Sequence, residues 1–273
     1  MSGLVLTLRE VPRQRLDLSP LIPDRLAALD ARDIAGVQLA CGNRQVPLGD
    51  LFDIAPGDPV DLRFEGDCGK GDRIGAGMTR GTITVDGDAG AYLGLQMQGG
   101  AIRVRGNAGI GAASELCGGT VEIDGNAGDF LGGALAGSMK GMGGGLVVVR
   151  GDAADRIGDR MRRGTIIVEG GAGAYAASRM IAGTVVVLGT TIGCYPGFGM
   201  KRGSLILRGH PERQLPTFSD CGRHDLGFLA LLWRSVCGRS RRLDDLATGP
   251  ATVRRLAGDR AVGGKGEILL WLH

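Results

Sequence analysis

Seven short runs of alternating, largely β-branched residues recur through the middle of the chain. They are Thr82–Val85, Ala101–Val104, Thr120–Ile123, Leu146–Val149, Thr165–Val168, Thr184–Val187 and Ser204–Leu207. Successive side chains on a strand point to opposite faces. Each run therefore predicts a strand with one apolar face, from Ile83/Val85 in the first to Leu205/Leu207 in the last. A Met-x-x-Gly step precedes every run, beginning at Met78, Met97, Met142, Met161, Met180 and Met200, with Leu116 in the third. A glycine-led turn opens each unit, at Gly66, Gly87, Gly106, Gly125, Gly151, Gly170 and Gly189, and a truncated eighth opens at Gly209. The spacings are 21, 19, 19, 26, 19, 19 and 20 residues.

A period near 19 is too short for a βαβ unit, whose crossover alone takes about a dozen residues or more. It suits one coil of a solenoid, with like residues stacking on like. The expected fold is all-β: a single-stranded, right-handed parallel β-helix of about seven coils over residues 66–210. Small mixed α/β segments, 1–65 and 211–273, would cap its ends, because open solenoid ends expose strand edges and core. In the first cap, Leu4, Leu6 and Leu8 would share one face of a strand, and Pro23–Leu29 reads as a short helix. In the second, Leu226–Val236 predicts a helix and Glu267–Leu272 a strand.

Glycine supplies 51 of 273 residues, but without the every-third spacing of collagen. That content also excludes a helical bundle across the middle. A net charge of +3 gives no reason to invoke nucleic acid. No apolar run approaches the roughly 18 residues of a membrane span, and no cleavable leader stands at the start, so the chain reads as cytoplasmic. Six cysteines without a CxxC pair and three histidines do not make a metal site. No catalytic set stands out. The Gly-x-Gly strings at Gly109–Gly111 and Gly171–Gly173 lie inside repeats, with no helix to follow. His224-Asp225 precedes an apolar helix and reads as a capping or surface pair. The Gly-Asp/Asn pairs read as turn formers rather than calcium rolls.

The repeats Gly-Asp-x-Gly…Met-x-x-Gly resemble the glycine-rich β-helix domain of the glutamate synthase large subunit. The wider pattern is more similar to the C subunit of formylmethanofuran dehydrogenase. It comprises Leu6–Pro12, Gly42-Asn43, Leu48–Phe52 and the expanded fourth repeat around Gly133, Gly137 and Gly141–Gly144. The likeness covers roughly residues 4–210. Relatives of that subunit serve the bacterial formyltransferase/hydrolase complex. The resemblance implies a noncatalytic structural and docking subunit within a formyl-handling one-carbon complex. There a formyl group passes from formyl-tetrahydromethanopterin to a methanofuran-type carrier and is hydrolysed to formate. The alternatives are the C subunit of a true formylmethanofuran dehydrogenase and a glutamate-synthase-like structural domain. The family implies other members of the complex as partners and no cofactor on this chain alone, with the carrier engaged at the level of the complex. A stand-alone enzyme with its site along the flank would need clustered outward carboxylates, and the outward strand column holds only Glu122.

Three surfaces are candidates. Val148, Ile167, Val186 and Ile206 make an outward apolar stripe, to be covered either by the Leu226–Val236 helix or by a partner subunit. The insertion in the fourth repeat, with Met139 and Met142, would emerge as an adaptable partner-binding loop. The Met-x-x-Gly corners carry Arg80, Arg162, Arg163, Lys201 and Arg202 and no acidic residue. They form either a solvated basic edge or a receptor for an acidic partner or for the glutamate-rich carrier tail that the family implies.

Overall fold

The computed structural model describes residues 3–246 and 252–271. Its strands are β1 (Gly3–Leu8), β2 (Leu16–Asp17), β3 (Gln38–Cys41), β4 (Arg44–Pro47), β5 (Phe52–Ala55), β6 (Asp58–Glu65), β7 (Gly71–Asp72) and β8 (Thr82–Asp86). They continue with β9 (Ala101–Val104), β10 (Thr120–Ile123), β11 (Leu146–Val149), β12 (Thr165–Val168), β13 (Thr184–Val187) and β14 (Ser204–Leu207). The last three are β15 (Ser219–Asp225), β16 (Thr252–Gly258) and β17 (Gly266–Trp271). Five short helices join them: α1 (Pro23–Leu26), α2 (Ala31–Gly36), α3 (Leu48–Leu51), α4 (Gly227–Val236) and α5 (Arg241–Leu246). The predicted helix over Leu226–Val236 forms as α4, whereas that over Pro23–Leu29 is helical only to Leu26, as α1. The predicted final strand forms as β17, and its end at Leu272 lies outside the described residues.

The expected parallel β-helix is corrected. The structure is one 13-stranded mixed sheet, ordered β15-β16-β17-β14-β13-β12-β11-β10-β9-β8-β6-β1-β5, beside a four-stranded sheet, β4-β3-β2-β7. No solenoid closes. Each repeat contributes a single strand to the large sheet, and the first also adds β7 to the small one. The rest of the repeat is turn backbone that meets its neighbours through single bridges, running Cys68–Ala89–Ala108–Ala127–Ala153–Ala172–Ile192–Pro211. The terminal segments do not sit on the ends as separate caps. They extend the large sheet, antiparallel through β5 on β1 and through β15, β16 and β17. Periodicity revealed the stacking, but it could not show that the flanking strands join the same sheet.

Within the repeats every strand pairs in parallel and in register, so Ile83, Ile102, Val121, Val147, Ile166, Val185 and Leu205 form one aliphatic column. All are buried. Burying one such side chain is worth about 1.5–3 kcal/mol, and the column repeats that contribution at every step.

The Met-x-x-Gly step has a packing cause. The methionine methyl of one repeat occupies the place where the glycine of the next would carry its Cβ. At Gly164 a Cβ would lie 2.6 Å from Met142 Cε and 2.8 Å from the Gly145 carbonyl, and φ there is +94°. The Asx positions also tie one repeat to the next. Asp88 Oδ1 accepts from the Asn107 backbone N–H, Asn107 Oδ1 from Asn126, Asn126 Oδ1 from Asp152, and Asp152 Oδ1 from Gly171, all at 2.7–2.8 Å. These side chains mostly serve the neighbouring repeat rather than their own turn.

Candidate functional site

The outward stripe is covered by the chain itself. Val148, Ile167, Val186 and Ile206 form a second core with Leu229, Trp233 and Val236 of α4, Leu243 of α5, and Val253, Leu269 and Trp271. All four are at most 1% exposed, so they are not open to a partner. Polar contacts fix this cover at its edge. Ser240 Oγ donates to Glu169 at 2.7 Å and the Arg242 guanidinium donates to the Glu169 carbonyl. Nearby, burial raises the Asp124 carboxyl, but hydrogen bonds from Arg150 and Arg103 outweigh it and hold the group below the usual carboxylate range.

The basic corner is only partly free. Backbone bonds keep its register, with Arg162 N–H donating to Met142 O, Ile181 to Met161 O and Lys201 to Met180 O. The terminal segments then occupy both of its ends. Asp24 accepts from the Thr79 backbone N–H at 3.0 Å and lies 3.9 Å from Arg80. Lys201 Nζ donates to the Val262 carbonyl at 2.6 Å. Arg162, Arg163 and Arg202 are exposed and have no ion-pair partner among the described residues. Four repeats separate Arg80 from Arg162, about 19 Å at the usual strand spacing, so the five cations do not act as one cluster.

The fourth-repeat insertion divides. Met142 turns inward, fully buried, and its N–H donates to Gly132 O. It is therefore core and not partner surface, and a deletion across Ser138–Gly144 would remove part of the core. Met139 is 64% exposed. Residues 134–139 wall a cleft of about 400 Å³, together with Tyr92, Ile110, Gly111, Phe130, Asp159 and Arg160. Glu115 pins the insertion. Its carboxylate accepts from Gln96 Nε2 at 2.8 Å and from the Leu135 N–H at 3.4 Å. Burial raises this group, yet bonds from Gln96, Ser138 and Leu135 and the charge of Lys140 together lower it.

At the cleft floor Asp159 is buried, accepting two bonds from Arg179, at 2.9 and 2.7 Å, and one from Ser178 Oγ at 2.5 Å. Arg160 lies 3.9 Å from the same carboxylate and places Nη1 2.8 Å from Met139 Sδ. Asp159 is thus satisfied, while Arg160 has no closely held carboxylate.

One column lay outside the reading of the repeats. Arg73, Tyr92, Gly111, Phe130, Arg156, Tyr175 and Tyr195 all adopt positive φ, between +58° and +71°. Each donates its N–H to a carbonyl of the next repeat or the segment after it, from Arg73 on Ala91 to Tyr195 on Arg213. Left-handed backbone is uncommon for bulky residues and must be enforced by its surroundings. Here that interlocking ladder enforces it. The Arg156 guanidinium lies 5.8 Å from the Phe130 ring centre and 4.9 Å from that of Tyr175, which is 5.8 Å from Tyr195. The available signal was the residue five before the Met-x-x-Gly step, twelve before it in the expanded fourth repeat, flat or cationic in every copy but the third, which has Gly111. Among the described residues, no group of three or more His, Cys, Asp or Glu is placed to hold a metal, and no helix is long and apolar enough to cross a membrane.

No protein-family model matches the chain. The C subunit of tungsten-containing formylmethanofuran dehydrogenase 2 of Methanococcus maripaludis is 30% identical over 95 residues, 34% of this chain and 35% of that protein. The C subunit of the formyltransferase/hydrolase complex Fhc of Methylorubrum extorquens is 42% identical over 80 residues, 29% and 30% of the two chains. These matched stretches span about a third of each curated relative. A crystal structure of the formyltransferase/hydrolase complex from Methylorubrum extorquens, in complex with methylofuran, contains a chain that superposes with a TM-score of 0.91. That chain is 40% identical, and the match covers 98% of this chain and 100% of that one. With its in-register repeats, expanded fourth repeat and flanking strands all inside that match, the chain belongs to the C-subunit family of formyltransferase/hydrolase and formylmethanofuran dehydrogenase complexes.

Proposed function

We propose that this chain is a noncatalytic structural and docking subunit of a formyltransferase/hydrolase complex. In this reading the complex moves a formyl group from formyl-tetrahydromethanopterin to a methanofuran-type carrier and hydrolyses it to formate. The observation that carries the reading is the match over 98% of the chain, at 40% identity, to a chain of that complex. In sequence the Fhc C subunit of Methylorubrum extorquens is 42% identical over 29% of the chain, against 30% over 34% for the tungsten enzyme of Methanococcus maripaludis, and the higher identity supports the transferase/hydrolase over the dehydrogenase. Other subunits of the complex are the proposed partners, working in the cytoplasm. The chain holds the carrier only through its tail. Arg162, Arg163 and Arg202, exposed and without an ion-pair partner among the described residues, offer forked donors to carboxylates of a glutamate-rich chain.

Affinity purification from the native host, with identification of the co-purifying chains and assay of formyl transfer, tests this. Transferase and hydrolase subunits with formate release support it. A molybdenum or tungsten dehydrogenase subunit among the partners would transfer the reading to the dehydrogenase, and a chain purifying alone overturns both.

A further inference from the structure

The left-handed column is a stack of flat groups interrupted at one rung, Gly111, which contributes no side chain. Phe130, Arg156, Tyr175 and Tyr195 follow one another as ring, guanidinium, ring and ring, at 4.9–5.8 Å. Below Phe130 the next position is Gly111, which has no side chain to stack. A Cβ there would lie 2.7 Å from Tyr92 Cδ1, so the Tyr92 ring leans over the glycine. The cleft opens at this break, with Tyr92, Phe130, Met139 and Arg160 all among its walls. Aromatic, methionine and arginine side chains are the types enriched at protein interfaces and their hot spots. Exposed Ile110 and Met139 line the cleft, and exposed Phe198 packs edge-on against Tyr175 of the column.

Resting on the docking-subunit reading, we propose that this cleft is the pocket that receives a companion subunit. Its occupant is an aromatic side chain with a carboxylate beside it. The ring enters the break below Phe130, as Arg156 stacks above it, and the carboxylate meets Arg160. The charge of Arg160 disfavours an arginine in the same place. Asp159 pairs with Arg160 at 3.9 Å, but its oxygens already accept from Ser178 and Arg179, so Arg160 keeps donors for an incoming carboxylate. Asp129 and Asp155 accept backbone N–H groups of the following repeats at 3.0 and 2.8 Å, and Asp159 is held by Arg179.

The test uses the full chain co-expressed with its companion subunits, with the photo-crosslinking residue p-benzoylphenylalanine at Met139, or at Leu29 as a control. The expected result is a crosslink from Met139, and none from Leu29, to a companion segment carrying an aromatic residue next to Asp or Glu. Met139→Asp should weaken retention of that subunit at least tenfold, and Arg160→Gln should flatten the salt dependence of its retention. Phe130→Ala should act like Met139→Asp. Phe130 is half-buried, however, so the exposed Met139 site carries the test if that variant misfolds. A complex that forms with Met139→Asp within twofold of the unaltered chain, or a crosslink only to a second copy of this chain, overturns the docking pocket and leaves the subunit reading standing. If the unaltered chain retains no companion at all, both fall.

Discussion

Trp233 on α4 stacks on Trp271 at the end of β17, with ring centres 5.1 Å apart and planes 12° from parallel. This pair holds the C-terminal segment against the outward stripe. Replacing a large buried aromatic residue by alanine costs about 3–5 kcal/mol. Trp233→Ala should therefore lower the denaturant midpoint and increase binding of a hydrophobic dye. Val186→Glu should be worse, because it places an unpaired carboxylate beneath α4. A stable, dye-silent Val186→Glu variant would contradict this cover.

The methionine–glycine contact makes Gly164 irreplaceable in kind. Alanine there adds a left-handed penalty of about 1–2 kcal/mol, and its methyl meets both Met142 Cε and a backbone oxygen that cannot move aside. Gly164→Ala should lose more than the left-handed penalty alone. Gly137 also has positive φ, but no atom lies within 4 Å of the place its Cβ would take, so Gly137→Ala should lose only that penalty. Equal melting temperatures for the two variants would refute the packing account.

Glu115 gives the insertion a pH response. Its folded value lies below the ordinary glutamate pKa of about 4.3, so its stabilisation is complete above that value. It is lost as the pH falls below about 4.3 and through the lower folded value, when the carboxylate that holds Gln96 and the Leu135 N–H is neutralised. An NMR titration of the Leu135 amide should show this transition in the acid range, and Glu115→Gln should abolish it.

The free part of the basic corner predicts a surface effect without a folding effect. Arg162→Ala with Arg163→Ala should weaken carrier retention, more strongly at low salt than at high. The melting temperature should stay within a few degrees. Unchanged retention at every salt concentration would make these arginines ordinary surface.

How much of this was legible follows from which interactions are local. The strands, their inward columns and the glycine steps were readable because each repeat restates the same pattern: Ile83 predicts Ile102, and the step Met78–Gly81 predicts Met97–Gly100. The stripe from Val148 to Ile206 was readable as a face needing cover, and α4 as a candidate for it. The choice between α4 and a partner was not, because it depends on where the chain turns after β14. Asp24 against Thr79 and Arg80, and Lys201 against Val262, were equally hidden, since 55 and 61 residues separate those hydrogen-bonded partners.

The sequence by itself determined the repeat, its register and the residues that stack, because stacking one repeat on the next is a nearest-neighbour interaction written into a 19-residue spacing. Only the tertiary structure decided that a mixed 13-stranded sheet forms in place of a closed helix, and that Met142 faces inward while Met139 faces out. It also decided that flat side chains in left-handed backbone line up beside a cleft. Each of these depends on contacts between segments far apart in the chain, or on a backbone conformation that residue type alone disfavours and the assembled neighbours impose.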